Sequence, residues 1–378
     1  MDISTICVHG CGKKFDITGA VSVPIFASST FAHPGVGQST GFDYSRSQNP
    51  TKEHLEHTVT ALEGGADTIA FSSGMAAVSA LMELFSPGDH IVASYDLYGG
   101  TFRLFSHISE KNGIKISYAV SAEDITLKFT SATKAVIIET PTNPMMNVID
   151  IEAVSKITQD KKLLLIVDNT FLTPIFQKPL SLGADIVLHS GTKYLGGHND
   201  ALAGMLTVNN SDLGERLRFI SKTTGACLSP FESFLIIRGI KTLAIRMERH
   251  SKTAITVAKW LTAQKKVKKV FYIGLQDHPD YAVSCRQASG FGGMISFTVD
   301  DEQTAKSILE NVKIIKYAES LGGAESLITY PLLQTHADLP QNEREARGIN
   351  GCLLRLSVGL EAADDIINDL KQAIEGGK

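Results

Sequence analysis

The chain has 378 residues, 43% of them hydrophobic and 20% charged, with a formal net charge of -4. That is too long for one ordinary core and too apolar for a disordered chain, so two domains are expected. The charge balance leaves no basic footprint for nucleic acid or anionic lipid. The five cysteines, Cys7, Cys11, Cys227, Cys285 and Cys352, are an odd, scattered set, unlike a disulfide framework. The opening MDISTICVHGCGKKF lacks the apolar core of a signal peptide, and no apolar run reaches membrane-spanning length. A reducing cytoplasm is the expected compartment, with neither membrane nor nucleic acid among the partners.

Residues 1–50 contain TGAVSVPIFASSTFAHPGVGQSTGFDYSRSQNP, rich in Pro, Gly and Ser and without lasting periodicity. They read as an arm lying over something else, such as another subunit. A first domain is expected over 51–235. EHLEHTVTALE places Leu55, Val59 and Leu62 at helical spacing, DTIAF is strand-like, and GMAAVSALMELF is again helical. Strands follow near 90–94, 115–120, 134–139, 163–167, 184–188 and 203–208, with helices between most of them. Short, continuously apolar strands alternating with helices predict an α/β fold with a mainly parallel sheet covered on both faces. A second domain is expected over 236–378. It is entered through one long helical pattern, FESFLIIRGIKTLAIRMERHSKTAITVAKWLTAQ, bent at Gly239, and continues as a smaller α+β layer. That layer reads as strand 291–299, helix 301–311, strand 314–318, a loop, strand 353–358 and helix 361–374.

Two of the apolar strands end abruptly in polar groups: VDNT, carrying Asp168, and HSGTK, carrying Ser190, Thr192 and Lys193. In open α/β sheets, ligands sit at the carboxyl ends of the strands, so these residues can face one crevice. Singly, an Asp after a strand is most often a cap and a lysine a solvated charge. The segment FSSGMAAVSA shifts that balance. It puts Ser73, Gly74 and Met75 between a strand and a helix, where unpaired N–H groups make an anion site. Neither GxxxxGK[ST] nor an early GxGxxG is present, so one phosphate is expected rather than two or three. One phosphate, one lysine and one strand-end acid suit pyridoxal 5'-phosphate. The lysine would form a Schiff base with its aldehyde, and the acid would pair with its pyridine nitrogen.

The ordered segments DYSRSQNPT, FSSGMAA, DLYGGT, ETPTNP, VDNTF, HSGTKYLGGH, ESLGGAESLITYP and LLRLSVGLE span the chain. Together they resemble the Cys/Met-metabolism family of pyridoxal-phosphate enzymes. The resemblance implies the aspartate-aminotransferase-like fold (fold type I) and roles for matched positions. Lys193 would be the Schiff-base lysine, Asp168 the pyridine partner, and Tyr98 a ring-stacking group that helps move protons. Ser73, Gly74, Met75, Ser190 and Thr192 would cup the phosphate, and Asn143 would lie near the ring oxygen. Tyr44 and Arg46 would reach the phosphate of a neighbouring subunit in a homotetramer built from dimers with shared active sites. Arg355 would clamp the substrate α-carboxylate, with Ser320 beside it; an Arg within the apolar LLRLSV already calls for a partner.

For the reaction, Glu319 matches the acid that in cystathionine γ-synthases and γ-lyases reads the distal amino group of cysteine or cystathionine. Gly100 stands where methionine γ-lyases carry a cysteine. Arg103 resembles an arginine of the cystathionine enzymes that meets an acyl or carboxylate group. The resemblance therefore implies small amino-acid substrates and γ-replacement of O-acylhomoserine by cysteine. Cystathionine γ- or β-lyase is the alternative, with O-acetylhomoserine sulfhydrylase and methionine γ-lyase further off. A nicotinamide oxidoreductase would need the missing glycine fingerprint, and a catalytically dead scaffold would need a lost site residue. His54 and His57 lack the companions of a metal site, as do Cys7 and Cys11, so no metal is expected. GFGGM at 290–294 reads as a strand entry.

Overall fold

The computed structural model describes residues 1–11, 18–337 and 339–376, so residues 12–17 of the expected arm lie outside the described residues. Seven strands form the larger sheet: β1 (Asp67–Phe71), β2 (His90–Ser94), β3 (Lys115–Ala119), β4 (Thr133–Glu139), β5 (Leu164–Asp168), β6 (Ile186–Ser190) and β7 (Gly204–Val208). Their order is β1-β7-β6-β5-β4-β2-β3. β3, β2, β4, β5 and β6 are mutually parallel, whereas β7 is antiparallel to both its neighbours. Ile91, Val92, Val136, Ile137, Leu165, Ile166, Ile186 and Val187 are all buried, as strands covered on both faces require. The parallel strands present their carboxyl ends to one edge, where the loops after Ser94, Glu139, Asp168 and Ser190 gather.

A smaller, five-stranded sheet follows, with β8 (Val267–Phe271), β9 (Met294–Val299), β10 (Lys316–Tyr317), β11 (Leu327–Thr329) and β12 (Leu353–Ser357) in the order β10-β11-β12-β9-β8. Ile295, Phe297, Leu354 and Leu356 pack with residues of the helices Leu243–Thr262 and Ala363–Ile374. The expected α/β architecture, a mainly parallel sheet plus a smaller layer, is therefore present.

Several elements differ from the sequence reading. The long helical pattern is two helices, Pro230–Ile240 and Leu243–Thr262. The break falls at Lys241 and Thr242 rather than Gly239. There the buried Arg246 takes the Gly239 carbonyl at 2.8 Å and the Tyr194 carbonyl at 2.8 Å, and the Thr242 N–H turns to Gly239 in a tighter i→i+3 bond. β9 starts at Met294 because the preceding glycines form a turn, with Gly292 at φ 68°. The strands β8 and β11 and the helices Ile3–His9 and Tyr281–Gln287 are additional to the elements expected from the sequence. The Ile3–His9 helix is capped by Asp2 and buries Cys7 in the core beside Leu55 and Val59. Val21 and Val36, further along, are fully exposed. Among the described residues no helix is long and apolar enough to cross a membrane, and no cluster of His, Cys, Asp and Glu could hold a metal ion.

Candidate active site

The strand-end loops enclose a cavity of about 350 Å3 between the two sheets. It is lined by Ser73, Gly74, Met75, Tyr98, Asn143, Asp168, Ser190, Thr192, Lys193, Glu319, Ser320 and Arg355. Twelve of the residues singled out from the sequence thus meet in one place, although they span residues 73 to 355 of the chain. Tyr44, Arg46 and Arg103 do not line it. Arg46 instead donates to the Lys222 carbonyl at 2.6 Å and lies over the Tyr44 ring at 5.4 Å. Arg103 is an exposed residue of the helix Gly99–Leu104.

One end of the cavity is built for an anion. Ser73 caps the helix Gly74–Met82 by accepting from the Ala76 N–H at 3.0 Å. The N–H groups at the first helical positions, Gly74 and Met75, have no intrahelical partner. The antiparallel strand β7 makes this possible, because Gly204 passes directly behind Ser73. A Cβ at Gly204 would sit 2.0 Å from the Ser73 carbonyl oxygen. Ser190, at the end of β6, and Thr192, in the loop after it, close the cup.

Asp168 ends β5 and takes two hydrogen bonds on Oδ1 from Thr170, at 3.0 Å from the N–H and 2.5 Å from the hydroxyl. Burial pushes its carboxyl above the usual range, and the Thr170 bonds pull it back. No cationic side chain among the described residues pairs with it. Behind the strand ends, Asn169 and His189 turn to the opposite face and bond Glu63 Oε1 at 3.2 and 2.5 Å, a wholly buried contact that holds β5 and β6 on the helix Pro50–Glu63.

On the facing wall, Lys193 Nζ donates to Ser320 Oγ at 2.7 Å. Burial, with the Arg355 guanidinium second, pushes the lysine down to about 8, while Glu319 opposes the shift. Arg355 is fully buried in β12. It donates to Asn143 Oδ1 at 2.9 Å, to the Ser320 carbonyl at 3.0 Å and to Thr329 Oγ1 at 3.2 Å, and its Nε finds no partner among the described residues. Burial lowers it to about 10. Ser320 reaches this position with a φ of 87°, rare outside glycine, and its neighbour Glu319 is exposed.

The cavity wall also contains Glu139, which the sequence reading passed over although it ends β4 as Asp168 ends β5. It is buried and accepts the Tyr98 N–H at 2.9 Å. Burial, the neighbouring Asp168 and Asp96 push it well above the ordinary carboxylate range. Thr335 lines the cavity as well, with its carbonyl against Gly99.

A phosphorylated pyridine aldehyde fits these residues: one cavity holds an anion cup, a buried carboxylate without a cationic partner, and a lysine lowered to about 8. Residues 4–375 match the family model described as Cys/Met metabolism PLP-dependent enzyme. The chain is 48% identical over 375 residues to a cystathionine beta-lyase of Lactococcus lactis subsp. cremoris, covering 99% of each. It is 47% identical over 375 residues to a cystathionine gamma-synthase of Haemophilus influenzae, covering 98% of this chain and 97% of that one. Among solved structures, cystathionine gamma-lyase from Lactobacillus plantarum complexed with L-serine superposes with a TM-score of 0.96 at 42% identity, over 100% of this chain and 99% of that one.

Proposed function

The chain belongs to the Cys/Met-metabolism PLP-dependent enzymes, and from that membership we propose that it is a trans-sulfuration enzyme of the cystathionine γ-synthase type, replacing the γ substituent of an O-acylhomoserine by cysteine. One observation carries the reading. Glu319, a carboxylate at the mouth, adjoins Ser320, while the Arg355 guanidinium lies on the cavity floor. Such a site can read an amino acid with ionised groups at both ends.

Pyridoxal phosphate, when bound, supplies an aldehyde that captures the substrate amino group and a ring that draws electrons from its α-carbon. Ser73, Gly74, Met75, Ser190 and Thr192 would hold its phosphate, and Asp168 would take its ring nitrogen. Arg355 offers the substrate α-carboxylate a charge-assisted fork, with Asn143 fixing its orientation. Lys193, lowered to about 8 and held by Ser320, removes the α-proton at Nζ near neutral pH. Tyr98, at the rim, would stack on the ring and assist proton movement. Glu319 accepts the distal ammonium of cysteine or cystathionine.

Cleavage of cystathionine is the second reading, supported by the match to a protein named cystathionine beta-lyase at nearly the same identity as the synthase. Membership of the family also supports a homotetramer of dimers in the cytoplasm, in which Tyr44 and Arg46 serve a neighbouring copy's phosphate and Arg103 meets an acyl or carboxylate group. It supports the division into an arm over 1–50, a cofactor domain over 51–235 and a C-terminal domain over 236–378.

The test uses cofactor-loaded protein with O-acetylhomoserine plus cysteine in one tube and cystathionine in another. Cystathionine forming in the first, with little change in the second, is the expected result. Rapid release of pyruvate or 2-oxobutyrate from cystathionine would replace the synthase by a β- or γ-lyase respectively. Glu319→Ala should weaken use of cysteine far more than use of sulfide, and equal losses would remove Glu319 from recognition.

A further inference from the structure

We propose that Glu139 and Asp168 form a carboxyl pair that keeps one proton, carried by Glu139, so that Asp168 alone is the cavity's buried anion and Glu139 is a neutral positioning residue for Tyr98. The inference rests on the assignment of Asp168 to the ring nitrogen.

The geometry begins with the sheet. β4 and β5 run parallel and end together, with Glu139 and Asp168 directly paired across the ladder. Neighbouring strands lie about 4.8 Å apart, so two carboxyls at one register position, both lining the same cavity, are close enough to repel if both are ionised. Among the described residues neither makes an ion pair with Lys, Arg or His. The charged groups facing Glu139 are Asp96 after β2, Asp168 on β5 and Arg355 on β12. Two of the three are acids. The guanidinium is occupied by Asn143, the Ser320 carbonyl and Thr329 rather than by Glu139.

The surroundings decide which carboxyl keeps the proton. Asp168 Oδ1 receives the Thr170 N–H and a short bond from the Thr170 hydroxyl and lies near His189, whereas Glu139 receives only backbone N–H donors, from Tyr98 on Oε2 at 2.9 Å and from Asn143, and faces two acids. Each donor stabilises the ionised form, so the negative charge settles on Asp168. Burial and the Asp168 carboxylate raise Glu139 in the same sense. A neutral acid still accepts the Tyr98 N–H, and so fixes the start of the helix Gly99–Leu104 beside the ring-stacking tyrosine. It does so without offering an incoming protonated ring nitrogen a second, competing anion.

The test uses cofactor-loaded wild type and Glu139→Gln, which keeps shape and acceptor but has no titratable proton. Infrared spectra of wild type at neutral pH should show the carbonyl stretch of a protonated acid, moved by isotope-labelled glutamate and absent from the variant. The pH at which the cofactor's visible band changes should stay within about a few tenths of a unit, because neutral replaces neutral. Absence of the band in wild type, or a downward shift of about one unit or more in Glu139→Gln, as expected for losing a nearby charge, would overturn the proposal. If Glu139→Gln does not fold, Glu139→Asp serves in its place: its acid band should lose the glutamate isotope shift, and a band unchanged in it would assign the proton elsewhere. Asp168→Asn probes the underlying assignment separately. It should retain cofactor poorly, and undiminished retention would remove Asp168 from the ring nitrogen whatever the infrared band shows.

Discussion

Raising the pH of cofactor-free protein should expose Lys193 as a nucleophile long before any surface lysine. Burial and the Arg355 guanidinium lower it to about 8, against an ordinary 10.5. At pH 7.5 about a quarter of the Lys193 side chains are then neutral, against about one in a thousand for an unperturbed lysine. At equal access that is an advantage of roughly 200-fold in reaction with a small aldehyde. The assay is a brief reductive alkylation across pH 6 to 11, followed by mass mapping of the peptide containing Lys193. Its labelling should rise with a midpoint near 8. Glu319→Gln should move the midpoint down, because Glu319 is the acid that holds the proton on. The same shift makes the fold more stable as pH rises from 8 towards 10.5, where the unfolded lysine still binds a proton that the folded one has lost. A midpoint at 10 or above, or an upward move in Glu319→Gln, would refute the reasoning.

Three further outcomes follow from contacts at and around the site. Asn143→Ala strands a buried guanidinium donor, a loss of about 1.5–3 kcal/mol that should raise KM for the amino-acid substrate 10- to 150-fold while kcat changes less; a fall in kcat alone would count against the orienting role. Gly99→Ala would put a methyl 2.2 Å from the Thr335 carbonyl oxygen, and the forced backbone shift should destabilise by about 1–3 kcal/mol; an unchanged thermal midpoint would show that the 331–337 segment does not press on Tyr98's helix. His250, buried against the Val358 carbonyl at 2.7 Å, is lowered to about 4, so its unfolded form binds a proton first as pH falls. Stability should drop by up to about 3 kcal/mol between pH 6.5 and 4, and urea unfolding of His250→Gln should show a flatter acid limb; an equally steep limb would place the acid sensitivity elsewhere.

The cavity wall was legible in the sequence where a buried strand stopped on a polar residue. Asp168, Ser190 and Lys193 announced themselves because LLLIVD and DIVLHS are too apolar to end that way by chance. Glu139 obeys the same rule at the end of KAVIIE, yet it was read only as part of a strand. What singles it out is the register that sets it beside Asp168, and register is a property of two strands. β7 reads as one more apolar strand, but its reversed direction, on which the close passage of Gly204 behind Ser73 depends, has no mark in local composition. β11, three residues long, was lost inside a loop because its burial comes from β12 rather than from any alternation of its own. Tyr44, Arg46 and Arg103 were identified by resemblance alone, and a single chain does not bring them to its own cavity.

The order of the cavity residues along the chain has a consequence for biosynthesis. Every strand of the larger sheet, the anion cup and Lys193 lie before residue 209, whereas Ser320 and Arg355 belong to the last third of the polypeptide. A growing chain therefore completes the strands that carry the anion cup and Lys193 well before β12, which carries Arg355, leaves the ribosome. Until β12 pairs with β9 and β11, the cavity lacks its floor and Lys193 lacks the guanidinium that helps to lower it.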